Sequence, residues 1–170
     1  MVEKFLMDSN SFITPYRLYY APDLTPNFWK KLSSCTKLGR LVLLDMVKDE
    51  VSKGQDDLAN WLKEQSGFVF CNHKSEEIVN KYQQILQYIQ TCGLYKEQAL
   101  HAWAQGDVAD PWLIAAASVN NYTIITLEVS SGNLSKNTPN KNAKIPDVAR
   151  NFGVKTNNLY YMMRQLKISI

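Results

Sequence analysis

Apolar positions along the chain come first in short blocks and then at helical spacing, and the alternation repeats. Val2 to Met7 (VEKFLM) is a short apolar run stopped by the turn formers Asp8, Ser9 and Asn10. That is the pattern of a buried strand delivering its carboxyl end to a loop. Leu41 to Leu44 (LVLL) does the same and stops at Asp45. Gly67 to Phe70 (GFVF) and Tyr122 to Thr126 (YTIIT) predict two more strands, the second rich in β-branched residues. A last short apolar piece surrounds Ile145. Between these blocks the period becomes helical. Pro26 to Lys37 opens with Thr25 as N-cap and Pro26 in the first helical position, where its missing N–H costs nothing. Asp56 or Asp57 caps a helix bearing Leu58, Trp61 and Leu62, and Ser75 heads a longer one with Ile78, Tyr82, Ile85 and Ile89 on one face. Ala109 to Val119 reads as a small-residue helix for close packing on a sheet, and Asp147 to Ile170 as two short helices split at Gly153. Leu159, Met162, Met163 and Leu166 share one face there, as core packing requires. Strands alternating with helices predict βαβ crossovers and a parallel sheet covered on both faces. In such a sheet, ligands collect at the carboxyl ends of the strands.

The pattern runs without repeat or linker, so residues 1–170 read as one α/β domain, with 145–170 a C-terminal strand and helical extension. The Ser/Asn/Lys-rich segment 130–144 is the one clear shift in composition and predicts a mobile surface loop. With 45% hydrophobic and 21% charged residues, the chain is neither disordered nor collagen-like nor coiled-coil. No segment approaches the roughly 20 apolar residues of a membrane span. Glu3 and Lys4 precede an apolar stretch too short for a secretory signal, so a cytoplasmic protein is expected. Cys35, Cys71 and Cys92 form no C-x-x-C pair and support neither a disulfide framework nor a zinc site. A net charge of +3 gives no bulk attraction to nucleic acid, so any such binding must be local.

The carboxylates sharpen this picture. Asp8 and Asp45 end the first two strands, Glu50 follows Asp45 by about one and a half helical turns, and Glu128 lies just past the YTIIT strand. Asp110 opens the Ala-rich helix. Parallel strands present their carboxyl ends at one edge, so Asp8, Glu50, Asp110 and Glu128 are predicted to converge there. Like charges gathered in a partly desolvated pocket repel unless a cation compensates, and an all-oxygen set suits Mg²⁺ or Mn²⁺. Taken singly, Asp8, Asp45 and Asp110 also fit as helix N-caps and Glu50 as a solvated helix residue. Around the four stand Asn10 and Thr126, each a turn or strand former or a hydrogen-bonding support, with Asp107 and Asp45 as further supports. His73 and His101 share no spacing with an acidic motif and read as structural or surface residues.

Phe5 to Ser11 (FLMDSNS) resembles the apolar strand and D-x-N/S that open PIN-domain ribonucleases. Asp110 to Ala117 (DPWLIAAA) is similar to their D-x-x-I-A-A-x-A helix, and Thr123 to Glu128 (TIITLE) to their V-V-T-x-D strand. The segment Asp45 to Val51 corresponds to the one supplying their second acid, here Glu50. The resemblance is to a bacterial branch of PIN-like proteins related to toxin-antitoxin ribonucleases. It implies a three-layer α/β/α sandwich with a central, mainly parallel sheet. An acidic pocket of Asp8, Glu50, Asp110 and Glu128 would bind Mg²⁺ or Mn²⁺ and hydrolyse the phosphodiester bonds of RNA, preferably single-stranded. It also implies a possible antitoxin partner and homodimerisation. Glu128 departs from the family's usual Asp, which opens the alternative of a catalytically weakened or inactive module that binds RNA or protein.

Lys144 and Arg17 are the candidates to meet RNA phosphate, whereas Lys136 and Lys141 fit an ordinary solvated surface. Tyr16, Tyr19 and Tyr20 suit base stacking or, equally, a packed helix face. Other phosphotransfer chemistry lacks its marks. Asn10 stands where a dehalogenase-type site needs a second Asp, and the chain holds neither G-x-x-x-x-G-K-[ST] nor G-x-G-x-x-G.

Overall fold

The computed structural model describes residues 2–170. Five parallel strands form one sheet: β1 (Phe5–Met7), β2 (Leu41–Leu44), β3 (Val69–Cys71), β4 (Thr123–Ile125) and β5 (Thr156–Asn157), in the spatial order β3-β2-β1-β4-β5. Phe5 pairs with Leu41 on one side and Thr123 on the other, and Ile124 pairs with Thr156. Every residue of β1, β2 and β4 is buried. Because successive strand residues point to opposite faces, burial without alternation means that helices cover both sides.

Those helices are α1 (Asn10–Thr14), α2 (Pro26–Thr36), α3 (Asp45–Ser52), α4 (Asp57–Glu64), α5 (Glu76–Thr91), α6 (Glu97–Trp103), α7 (Asp110–Asn120), α8 (Ile145–Asn151) and α9 (Leu159–Gln165). A π-helical turn, Pro15–Tyr19, continues α1. Most of the predicted apolar stripes are buried: Leu58 and Leu62 of α4, Ile78, Ile85 and Ile89 of α5, and Leu159, Met162, Met163 and Leu166 in and just past α9, while Trp61 and Tyr82 are half-buried. Asp56 caps α4 by accepting the Ala59 N–H at 3.0 Å. Asn121 ends α7 with φ +56°, a left-handed position that Asn tolerates better than most residues.

Several expectations are corrected. Strand structure begins at Phe5, leaving Val2 exposed, and the third strand begins two residues later than GFVF suggested and ends one later. One reason is Gly67, where a Cβ would stand 2.6 Å from the Thr36–Lys37 backbone; the glycine serves close approach rather than strand pairing. Thr25 does not cap α2 through its side chain but donates to the Ala21 carbonyl at 3.0 Å. The apolar piece at Ile145 is no strand. Pro146 sits in the first turn of α8, which buries Ile145, Val148 and Ala149, and the last strand comes later, at Thr156–Asn157. Segment 130–144 holds no helix or strand and meets the rest of the fold at several points. Ser130 Oγ and the Ser131 N–H, at 2.9 Å, donate to the buried Asp147 carboxylate, and Asn140 bridges to Tyr95. Burial pushes the Asp147 carboxyl up, but the bonds from Ser130 and Ser131 outweigh it and hold it below its ordinary value.

Candidate active site

Strand order reverses between β1 and β4: the chain builds β2 and β3 outward on one side of β1, then returns to place β4 and β5 on the other. Loops leaving neighbouring strands in opposite directions open a crevice at such a switch point. Asp8 follows β1 directly, and its N–H donates to the Ile125 carbonyl at 3.0 Å. Ser11 Oγ donates to the same carbonyl at 2.8 Å, so the turn after β1 is fastened to the end of β4. Thr126, the next residue, donates its hydroxyl to Asp8 Oδ2 at 2.8 Å and accepts the Glu128 N–H at 3.1 Å. A single buried hydroxyl therefore sets the aim of Asp8 and the path of the backbone to Glu128.

Asp8 is only 5% exposed. Burial pushes its carboxyl up to about 6 against the Thr126 bond, and Glu128 and Glu50 push the same way. Asp110, at the start of α7, is pushed up to about 7 by burial and then by Glu128, Asp8 and Glu50, while Lys144 pulls it down. Glu128 and Glu50 thus bear on both Asp8 and Asp110, and Asp8 bears on Asp110. Their roles in the geometry differ. Asp8 is buried and Asp110 half-buried, whereas Glu50 is exposed on α3. Glu128 Oε2 accepts the Ile145 N–H at 2.7 Å and Oε1 lies 3.2 Å from Lys144 Nζ. An open trough of about 390 Å³, lined by Asn10, Thr14, Leu127, Glu128, Val129 and Lys144, opens at Glu128. Beyond the Leu127–Val129 wall lies an apolar cleft of about 450 Å³, flanked by Tyr19, Tyr20 and Tyr160.

The remaining predicted residues stand further out. Asn10 is exposed at the trough, Arg17 is exposed on the π-helical turn, and Asp107 is exposed in the turn before α7. Asp45 faces His73: Oδ2 meets His73 Nδ1 at 2.7 Å, and Oδ1 accepts the His73 N–H at 3.2 Å and the Met46 N–H at 2.9 Å. His73 in turn packs edge-on against Trp112, which stacks on Tyr82 at 3.7 Å. This clamp between the β2 and β3 ends is the element that sequence reasoning missed. The signal was present, since His73 lies two residues past a strand end.

No three His, Cys, Asp or Glu side chains among the described residues stand close enough to cage an ion. Mg²⁺ does not need a cage: it keeps several waters and binds through one or two carboxylates together with substrate phosphate. Asp8 and Asp110, both oxygen donors and both driven up by burial and by Glu128 and Glu50, suit that mode.

The architecture and the carboxylate-lined switch point define the class: the protein has a PIN-like α/β/α fold. More narrowly, it belongs to the family described as a domain of unknown function, DUF4411, whose model matches residues 5–170. The chain is similar in structure to VapBC2 from Rickettsia felis bound to a DNA fragment from their promoter, with a TM-score of 0.55 and 11% identity. The match covers 91% of this chain and 97% of that one, and at such identity it is a likeness of fold. No curated protein matches the chain. Among the described residues, no helix is long and apolar enough to cross a membrane.

Proposed function

We propose that the protein is a metal-dependent endoribonuclease that hydrolyses RNA phosphodiester bonds at the β1/β4 crevice. The observation that carries this reading is the buried Asp8 together with the half-buried Asp110, whose carboxyl Asp8 helps push up, neither having a salt-bridge partner among the described residues. Folding does not maintain such repulsion without return, and a divalent cation is the group that relieves it. Bound Mg²⁺ or Mn²⁺ would lower the pKa of an attacking water and neutralise charge building on the phosphoryl oxygens. Asp8 and Asp110 hold the ion, and Thr126 fixes the orientation of Asp8. Lys144 offers a positive charge to the substrate phosphate, with Arg17 on the rim as a further contact. Glu50, exposed on α3, would carry a proton away to solvent. The open trough admits an extended single strand more readily than a duplex, and the Tyr19–Tyr160 cleft beside it offers aromatic faces for an unpaired base.

Pairing with an antitoxin protein is part of the proposal, supported by the fold shared with a protein solved as VapBC2. The test is cleavage of an unstructured RNA by purified protein in Mg²⁺, Mn²⁺ or EDTA, beside Asp8→Asn and Asp110→Asn. Cutting that requires metal and is lost in both variants supports the reading. Equal cutting by all three proteins removes the site, and RNA binding without cutting in any of them turns the protein into a binding module.

A further inference from the structure

The crevice already contains a cation that belongs to the chain. Lys144 Nζ lies 3.2 Å from Glu128 Oε1, while Glu128 Oε2 accepts the Ile145 N–H at 2.7 Å. Both oxygens of Glu128 are thus turned towards the two residues that open α8. Its backbone is held from the other side, because the Glu128 N–H donates to Thr126 Oγ1, the hydroxyl that also aims Asp8. Of the four acids, Glu128 is the one with a salt-bridge partner among the described residues. Lys144 also pulls the Asp110 carboxyl down, so its ammonium lies within electrostatic reach of that residue. Lys144 is also less than half exposed and shares the trough lining with Glu128.

We propose that the site takes a single divalent ion on Asp8 and Asp110, and that the Lys144 ammonium fills the place where a second ion would neutralise Glu128. Glu128 is then a positioning residue: it fixes Lys144 and the first turn of α8, and does not ligate metal. This rests on the ion-binding reading above and narrows it. A second dication would have to enter beside a fixed ammonium and compete for oxygens already accepting two hydrogen bonds. The arrangement also accounts for the residue type. Glu reaches one methylene further than Asp, which lets a carboxylate at position 128 span the distance to the Ile145 N–H and leave Asp8 and Asp110 as a separate pair.

Mn²⁺ binding by the full chain, counted by calorimetry and electron paramagnetic resonance, tests this without reference to activity. Wild type is expected to bind one ion per chain, and Asp110→Asn to weaken binding more than tenfold. Lys144→Met removes a positive charge beside the ion and is expected to tighten Mn²⁺ binding by roughly three- to tenfold. A merely structural lysine would weaken it or leave it unchanged. The double variant Glu128→Gln/Lys144→Met removes a neutral pair, so it is expected to keep one ion with an affinity within about threefold of wild type. Two ions in wild type, or a loss beyond tenfold in the double variant with an unchanged circular dichroism spectrum, overturns this inference and leaves the ion-binding reading standing. No binding by wild type at millimolar Mn²⁺ overturns both.

Discussion

Replacing Asp110 by Asn removes a charge that the metal-free fold accommodates only at a cost. Its carboxyl is raised from 3.8 to about 7, first by burial and then by Glu128, Asp8 and Glu50. A group raised in the folded state contributes stability that is complete below its unfolded value and disappears as pH climbs through the folded one. Wild type should therefore lose stability between about pH 4 and pH 7 in EDTA, whereas the variant should not lose this part of it. The bare shift corresponds to about 4 kcal/mol at 1.36 kcal/mol per unit. Titration shared with Asp8 and contact with solvent reduce this to roughly 1–2 kcal/mol. Against it stands the loss of a negative charge in the first turn of α7, worth about 0.3–1 kcal/mol.

Burial and repulsion win, leaving about 1 kcal/mol in favour of the variant at pH 8, or roughly 2–4 °C in melting temperature for a domain of this size. Differential scanning calorimetry at pH 5 and pH 8, with EDTA and with Mn²⁺, makes the comparison. The variant should melt higher than wild type only at pH 8 in EDTA. Mn²⁺ should reverse the order, since an ion at 100 times its dissociation constant adds about 2.7 kcal/mol to a protein that binds it. A variant that melts below wild type at pH 8 in EDTA, or a difference that is the same at both pH values, refutes the argument.

Three further outcomes follow from other contacts. Thr126→Val leaves Asp8 Oδ2 and the Glu128 N–H without their shared hydroxyl, and should cost about 2–3 kcal/mol in urea denaturation; a loss under about 0.5 kcal/mol would mean the bridge is idle. Asp147→Asn weakens the bonds from Ser130 and Ser131, with an expected cost of about 1–2 kcal/mol near pH 7. Because the Asp147 carboxyl lies below its ordinary value, that contribution should fade as pH falls through the folded value. Amide exchange at Ser131 should quicken in the variant, and unchanged exchange would show that the segment is held elsewhere. Tyr160→Ala should weaken binding of unstructured RNA by about tenfold in the Asp8→Asn background, in line with one lost stacking contact; unchanged binding would take the apolar cleft off the substrate path.

What the sequence discloses and conceals follows from the range over which residues act. Asp8 and the β4 strand were legible because a buried parallel strand is a dense apolar block with an abrupt polar end, a signal contained in a few neighbouring residues. Ile145 was misread for the same reason: a lone apolar residue before a proline looks alike at a strand end and in a helical first turn. The Asp45–His73 clamp joins positions 28 apart in the chain, and no spacing rule reaches that far. The strand-end argument that singled out Asp8 would have reached His73 had the third strand been extended to Cys71. Glu128 was placed near the other acids by topology alone, but its bonds to Lys144 and Ile145 depend on how the 130–144 segment returns. Net charge gave no hint of any of this, because Lys144 and Glu128 cancel within it.

The two outer strands bear on how this protein meets others. β5 has two residues, and on the opposite edge of the sheet Lys48 lies over the exposed Phe70 ring of β3 at 4.7 Å. Short borders and a guarding lysine are devices by which sheets refuse a neighbour's strand. With so little main-chain ladder on offer, recognition by strand addition is discouraged, and a partner is directed to helix surfaces and to the crevice. Guarded edges also protect the molecule when many copies are present at once, because edge-to-edge stacking finds nowhere to begin.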